Sequence, residues 1–362
     1  MINSSPSAPA KGGSIDNVQV LRAAAALLVV FVHLDVFLKA LGVPAFGHGG
    51  VDLFFIISGF IMVYTTRARP IGPGAFMLNR FTRIAPIYWL ITLGVYAVAL
   101  AAPSLLQATS SDPEQLVKSL LFIPFQKSNG LVQPVLFVGW TLNFEMFFYA
   151  LFALGLMFPA RRAGGLAVAG MLLALVLAGA LLHPGSVVAE FYTRPIILEF
   201  AAGMALAAFG STLSVRSAGG RGVLHAAVVL GLAALAGVPL LWPELSRVIT
   251  QGIPALVVAA SAIALHQSGV RWSAPWLLLL GDASYSMYLT HPFVTQAAQK
   301  AGKVIGLSPA VAAALALVTL VLVCVTGVFT HRWLEKPLTR LTKQLLSGYR
   351  LEAPNYGVQK KA

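Results

Sequence analysis

Apolar runs of about 18 to 22 residues recur along almost the whole chain, and that is the length a helix needs to cross a bilayer core of about 30 Å. Unpaired backbone N–H and C=O groups are costly in lipid, so runs of this kind must satisfy their own backbones as helices. The period-2 alternation of a membrane β-barrel is absent. At 58% hydrophobic and 10% charged residues, the chain is far from the roughly 25% charged composition of an ordinary globular domain. The sequence therefore predicts an all-α, polytopic integral membrane bundle of about ten transmembrane helices. The expected spans are 19–41, 50–67, 84–102, 137–158, 165–182, 190–210, 222–242, 248–266, 276–299 and 309–330. Around them the chain divides into a disordered cytoplasmic lead, 1–17, a transmembrane domain, 18–335, and a basic cytoplasmic tail, 336–362. The polar, Pro/Ser/Gly-rich lead lacks a cleavable signal pattern.

The net charge of +13 does not point to nucleic acid, because the basic residues are scattered among apolar runs and form no stripe on a soluble domain. Topology explains them better. With both termini cytoplasmic, one side carries Lys11, Arg22, Arg67, Arg69, Arg80, Arg83, Arg161, Arg162, Arg216, Arg221, Arg271 and the seven C-terminal Lys and Arg, which leaves 7 of the 25 for the other side. Such a split predicts N-in, C-in topology with an even number of spans. A single cysteine, Cys324, allows no disulfide framework and no Cys-based metal site within one chain. The longest connection, 103–136, falls on the outer side, where it is expected to form a small cap.

Chemistry must then come from polar residues in or at the membrane. Arg22 and His33 are eleven residues apart in the first span, which puts them on one helix face about 16 Å apart in depth. An ionisable residue within a span is costly, and is by default a functional candidate. In the second span Asp52 lies at the outer mouth, and Ser58 and Gly59 are small enough for close helix packing. Arg80 and Arg83, three residues apart in NRFTRIAPIYW, present two guanidiniums on one face. That arrangement suits phosphate groups, with lipid-headgroup anchoring as its rival. In the fourth span Thr141, Glu145 and Tyr149 recur every four residues as one polar stripe. Counted from the span ends, Glu145 matches His33 in depth, so Glu145 is expected to orient or charge-stabilise His33. The ninth span places Ser284, Tyr288 and His291 on one face with Tyr285 adjacent, and the tenth is followed by Arg332, Glu335 and Lys336, read as structural. No Walker P-loop, GxGxxG, HExxH or GxSxG motif occurs.

Six segments, Arg22-x10-His33, GVDLFFIISGF, the Arg80/Arg83 pair, WTLNFEMFFY, GDASYSMYLTH and RWLEKPL, follow one another in an order and spacing that resembles the membrane acyltransferase-3 family over residues 15–340. The GDASYSMYLTHPF segment in particular resembles members involved in exopolysaccharide production. The resemblance implies a ten-helix protein of the bacterial inner membrane that transfers an acyl group, commonly acetyl, to hydroxyls of cell-envelope or exported carbohydrate. It makes His33 the essential histidine, and Arg22, Arg80 and Arg83 the arginines that bind an acyl-CoA donor such as acetyl-CoA. Glu145 takes an acidic position in the fourth span, where the family's usual run of two or three acidic residues is reduced to Asn143-Phe144-Glu145. No metal is implied. The expected partners are membrane lipid, a carbohydrate acceptor and polysaccharide assembly or export proteins, with no nucleic acid. Because the extracytoplasmic hydrolase-like domain of some relatives is missing, direct transfer or a separate partner enzyme is implied.

The mechanism expected is that His33 acts as general base on an acceptor hydroxyl, or as a transient acyl carrier, assisted by Glu145. Asp52, Thr141, Tyr285, Tyr288 and His291 are the candidates for contacting the acceptor. The chief rival is a transporter or flippase that moves a polar or glycan substrate past a midplane His/Glu site. A catalytically inactive scaffold in an export complex is a third reading.

Overall fold

The computed structural model describes residues 15–106, 109–210 and 213–346, and among them no β-strand occurs. The elements are α1 (Asp16–Val32), α2 (Asp35–Ala40), α3 (Gly49–Ala68), α4 (Pro73–Ala101), α5 (Pro113–Leu120), α6 (Trp140–Gly155), α7 (Arg161–Leu182), α8 (Val187–Tyr192), α9 (Leu198–Phe209), α10 (Ala218–Leu241), α11 (Ile253–Gln267), α12 (Pro275–Ile305), α13 (Pro309–Thr330) and α14 (Lys336–Leu346). Most of the lead 1–17 lies outside the described residues, although Asp16 and Asn17 already open α1. The tail 336–362 is described to residue 346, and that part is helix α14.

Helix starts follow local chemistry. Proline stands in the first turn of α4, α5, α12 and α13, where its missing N–H costs nothing. Ser186, Ser217 and Ser308 cap α8, α10 and α13 by accepting backbone N–H bonds. Asn17 locks the start of α1 to the end of α11: its amide donates to the carbonyls of Ala262 and Val270, and its oxygen accepts the Trp272 N–H at 2.9 Å. In this way a fully buried amide satisfies its bonding capacity.

Among the described residues, seven helices are long and apolar enough to cross a membrane: Gly49–Ala68, Pro73–Ala101, Phe137–Gly155, Arg161–Leu182, Ala218–Leu241, Val248–Gln267 and Pro309–Leu346. Three expected spans differ. The span 19–41 is broken, because α1 stops at Val32 and His33 and Leu34 turn the chain before α2 begins. The span 190–210 is divided at Pro195 by a 3-10 turn, leaving the shorter apolar stretch Pro195–Phe209. Helix α12 has length to spare, at 31 residues. Its polar residues keep it from reading as an apolar span, and Ser284, Ser286, Thr290 and His291 are buried against neighbouring helices.

Small residues set the closest contacts. A Cβ on Gly59 would lie 2.1 Å from the Phe200 carbonyl oxygen, and one on Gly203 would lie 2.0 Å from that of Ile56. The α3–α9 crossing thus depends on two facing glycines, as expected where lipid supplies no hydrophobic drive between helices. Gly281 plays the same part between α12 and the Gln19 backbone of α1. Helices α1 and α12 run side by side in the same direction: Gln19 donates to Asp282 at 3.1 Å near their starts, and Gln299 donates to the His33 carbonyl at 2.8 Å near the far end.

The described residues of the connection 103–136 fold into a small cap over part of α4. It carries α5 and returns along α4, where the Tyr88 hydroxyl donates to the Ser119 carbonyl and Trp89 Nε1 to that of Leu120. Lys127 is buried in this cap with its ammonium 3.2 Å from Thr109 Oγ1, and burial pulls it down to about 8.

Candidate active site

Arg22, Arg80 and Arg83 come together from α1 and α4. Arg22 is buried, and its guanidinium donates to Gln19 Oε1 at 2.8 Å, so the Gln19–Asp282 bond holds it indirectly against α12. Arg80 lies with its guanidinium carbon 5.5 Å from the centre of the Phe76 ring. All three arginines line a partly open cavity of about 90 Å³ between α1, α3, α4, α6 and α12. They also line a second, wider space of about 350 Å³ that Gln19, Tyr64, Arg69 and Asn79 border. The arginines therefore stand at the doorway between the two spaces. Arg80 Nε is buried and makes no hydrogen bond within the protein. A buried guanidinium nitrogen left in this state at a cavity wall suits an anionic ligand.

The stripe on α6 faces the same cavity. Glu145 accepts a short hydrogen bond from the Tyr149 hydroxyl and one from Ser58 Oγ at 3.4 Å. Ser58 is thus part of the polar wall, a role that its small size beside Gly59 did not announce. From α12, Tyr285 donates to the Ile84 carbonyl at 2.9 Å, and the buried Ser284 Oγ makes no hydrogen bond within the protein. Tyr288 and Thr141 close the far end, with their hydroxyl oxygens 2.8 Å apart.

The expected pairing of Glu145 with His33 is not what the structure contains. The Glu145 carboxylate is occupied by Tyr149 and Ser58, and it faces the arginines: it is among the charges that act on Arg22 and Arg80. The depth count behind that pairing assumed an unbroken first helix, whereas α1 ends just before His33. His33 does not line the arginine cavity. Its ring lies against His291, with centroids 5.0 Å apart, and meets the Phe137 ring edge-on at 5.4 Å. His291 is fully buried one turn beyond Tyr288 on α12.

Asp52 lies outside both groups. It forms a two-point ion pair with Arg247, Nε–Oδ1 3.0 Å and Nη2–Oδ2 2.5 Å, beside the buried Glu199. Arg247 enters the sequence reading only as one of the seven outer-side charges and Glu199 not at all, although a glutamate inside the apolar run 190–210 is itself a signal. Glu335 is buried too, accepting from Ser286 Oγ at 2.6 Å and lying 2.8 Å from His331 Nδ1. That agrees with its structural reading. Among the described residues, no group of three or more His, Cys, Asp or Glu is gathered in a way that could hold a metal.

The family profile described as an acyltransferase domain, that of the acyltransferase-3 family, matches residues 15–329. The chain is 39% identical over 297 residues to the exopolysaccharide production protein ExoZ of Rhizobium meliloti (strain 1021), covering 81% of this chain and 90% of that protein. It is 30% identical over 345 residues to the acyltransferase MdmB of Streptomyces mycarofaciens, covering 86% of each. A shorter match, 31% identical over 154 residues, covers 37% of this chain and 78% of protein 2 in the picA locus of Rhizobium radiobacter. No solved structure matches. A polytopic helical chain whose profile match runs from the first turn of α1 to the last of α13 is a multi-pass membrane acyltransferase, and it belongs to the acyltransferase-3 family.

Proposed function

We propose that this acyltransferase moves an acyl group, acetyl in the simplest case, from acyl-CoA to a hydroxyl of a cell-envelope or exported carbohydrate, and that it does so in the bacterial cytoplasmic membrane. The observation that carries the donor assignment is the convergence of Arg22, Arg80 and Arg83 on one cavity doorway. Guanidiniums bind phosphate oxygens by forked, charge-assisted hydrogen bonds, and acyl-CoA carries several such groups. The carbohydrate acceptor is taken from the likeness to an exopolysaccharide production protein. Ten crossings, N-in and C-in, result when the broken α1–α2, the short Pro195–Phe209 and the polar-striped α12 join the seven apolar spans, with residues 18–335 as the transmembrane domain.

The donor's phosphates rest on the three arginines, and its flexible arm runs along the cavity towards Thr141 and Tyr288. Beyond that pair His33 serves as general base: one ring nitrogen takes the proton of the acceptor hydroxyl while its oxygen attacks the thioester carbonyl. The C–O bond forms, the C–S bond breaks, and the imidazolium returns the proton to the leaving thiolate, which departs as free CoA thiol. Tyr285 and Tyr288 shape the passage.

The test is turnover of labelled acetyl-CoA by purified full-length protein in detergent, together with acyl analysis of exported polysaccharide from a deletion strain complemented with wild type or His33→Ala. Loss of polymer acylation in the deletion, restored by wild type and not by His33→Ala, is the expected result. Equal acylation in all three strains removes that polymer as the acceptor, and acetyl-CoA that is neither bound nor turned over overturns the donor assignment.

A further inference from the structure

His291 sits where the sequence reading expected Glu145 to act. Its Nδ1 is 2.8 Å from the Tyr288 carbonyl oxygen. A carbonyl can only accept, so Nδ1 carries a hydrogen. The ring is fully buried with no carboxylate bonded to it, a setting in which an imidazolium is costly, so its second nitrogen holds a bare lone pair. That nitrogen, Nε2, is buried and makes no hydrogen bond. An unpaired acceptor in a helical core calls for an explanation.

The donor-bearing ring next to it is His33, with centroids 5.0 Å apart and planes inclined at 41°. Two imidazoles joined by an N–H···N bond of about 2.9 Å have centres about 5 Å apart, so a modest rotation of one ring completes the bond. His33 is well placed for this. It terminates α1 instead of lying within it, and Gln299, two turns beyond His291 on the same helix, holds its backbone carbonyl. Helix α12 therefore fixes the His33 main chain and presents an empty acceptor to its ring.

We propose that His291 is the positioning residue of His33: its Nε2 accepts a ring N–H of His33, so the other His33 nitrogen is the bare one that faces the acceptor hydroxyl. This rests on the reading of His33 as the base. When that nitrogen takes the hydroxyl proton, the opposite N–H stays bonded to His291, which shares the imidazolium charge until the proton passes to the CoA thiolate. A neutral imidazole does here what a carboxylate does in other histidine-dependent sites, and it adds no charge to a buried layer.

The experiment combines turnover and spectroscopy on the full-length protein. Acetyl-CoA is the probe, with water as stand-in acceptor and free CoA thiol as the readout. [15N]Histidine NMR reports the His33 tautomer, and His33→Ala assigns the resonance. Wild type should show a single His33 tautomer. His291→Phe, which keeps a ring but no acceptor, should lower kcat about 10- to 100-fold with the KM for acetyl-CoA unchanged, and should leave His33 in mixed tautomers. His291→Gln, whose amide can both donate to Tyr288 and accept from His33, should recover most of the rate and the single tautomer. Mixed tautomers in the wild type overturn the proposal without any variant, which settles the matter even if His291→Phe fails to fold. A kcat for His291→Phe within about twofold of wild type, or equal losses for Phe and Gln, also overturn it. Full turnover by His33→Ala would instead overturn the catalytic role of His33, and the NMR arm would still judge the bond.

Discussion

Thr141 Oγ1 and the Tyr288 hydroxyl oxygen are 2.8 Å apart where α6 meets α12, and Tyr288 also donates to the Val138 carbonyl at 2.7 Å. Tyrosine has one proton to give, so Thr141 is the donor in the bond between them. This chain of three groups separates the cavity that Arg22 enters from the layer that holds His33 and His291. Tyr288→Phe removes both bonds and leaves Thr141 with its longer contact to Val138, 3.3 Å. A loss of about 1 to 2 kcal/mol is expected by thermal unfolding in detergent. Release of CoA to water should rise relative to acceptor transfer, which product analysis measures.

Substituting a doorway arginine should act on donor affinity first. In the proposed donor site Arg83→Gln removes one forked phosphate contact, which is expected to raise the acetyl-CoA KM by roughly 10- to 100-fold, with a smaller effect on kcat. Arg83→Lys should recover only part, because a point charge does not replace the planar fork. An unchanged KM in both variants would remove Arg83 from the donor site.

Glu145 offers a result of opposite sign. Its carboxylate faces the arginines, so Glu145→Gln removes a negative charge from the proposed donor site and keeps an acceptor oxygen for Tyr149 and Ser58. The KM for acetyl-CoA should fall roughly fivefold, about 1 kcal/mol. A large fall in kcat at constant KM would return Glu145 to the chemistry.

The α3–α9 crossing can be tested without any substrate. Gly59→Ala and Gly203→Ala each place a methyl about 2 Å from a backbone carbonyl oxygen of the facing helix. The helices must separate, at a cost of about 1 to 3 kcal/mol, which is read as a lower unfolding temperature. The two substitutions share one contact, so their combined cost should fall short of the sum.

Lys127 gives a pH dependence in the cap. Its value falls from 10.5 in the unfolded chain to about 8 in the folded one, so between pH 8 and 10.5 the unfolded chain binds more protons and stability rises with pH. Below about pH 8 the penalty is constant. Lys127→Met should therefore raise the unfolding temperature near neutral pH, and the gain over wild type should vanish above about pH 10.5. A gain independent of pH would assign the effect to packing.

Much of this architecture is legible in the residues themselves. Apolar run lengths reveal the crossing helices, the Arg80/Arg83 spacing reveals a shared face, and the 141-145-149 stripe anticipates a Glu145–Tyr149 contact one turn apart. Each of these is a relation within a single helix. What escaped are relations between helices and the places where a helix stops. His33 and His291 are 258 residues apart in the chain, and nothing in either segment announces the other. Asp52 and Arg247 are separated by 195 residues. The Glu145–His33 pairing failed on a single turn of chain, the break at His33 and Leu34 that apolar composition conceals.

The parallel run of α1 and α12 has one more consequence. Arg22 and His33 are tied at both ends to the same neighbouring helix, so their spacing of eleven residues, about 16 Å along the axis, works as a ruler cut into the protein. With His33 as the proposed base, a donor held by the arginines must be long enough to keep its anionic end at one mark while its carbonyl reaches the other. A short acyl phosphate, however reactive, would bind at the arginines and stop well below the histidines. On the proposed reading, the length of the pantetheine arm becomes a specificity element, one that no single pocket residue has to read.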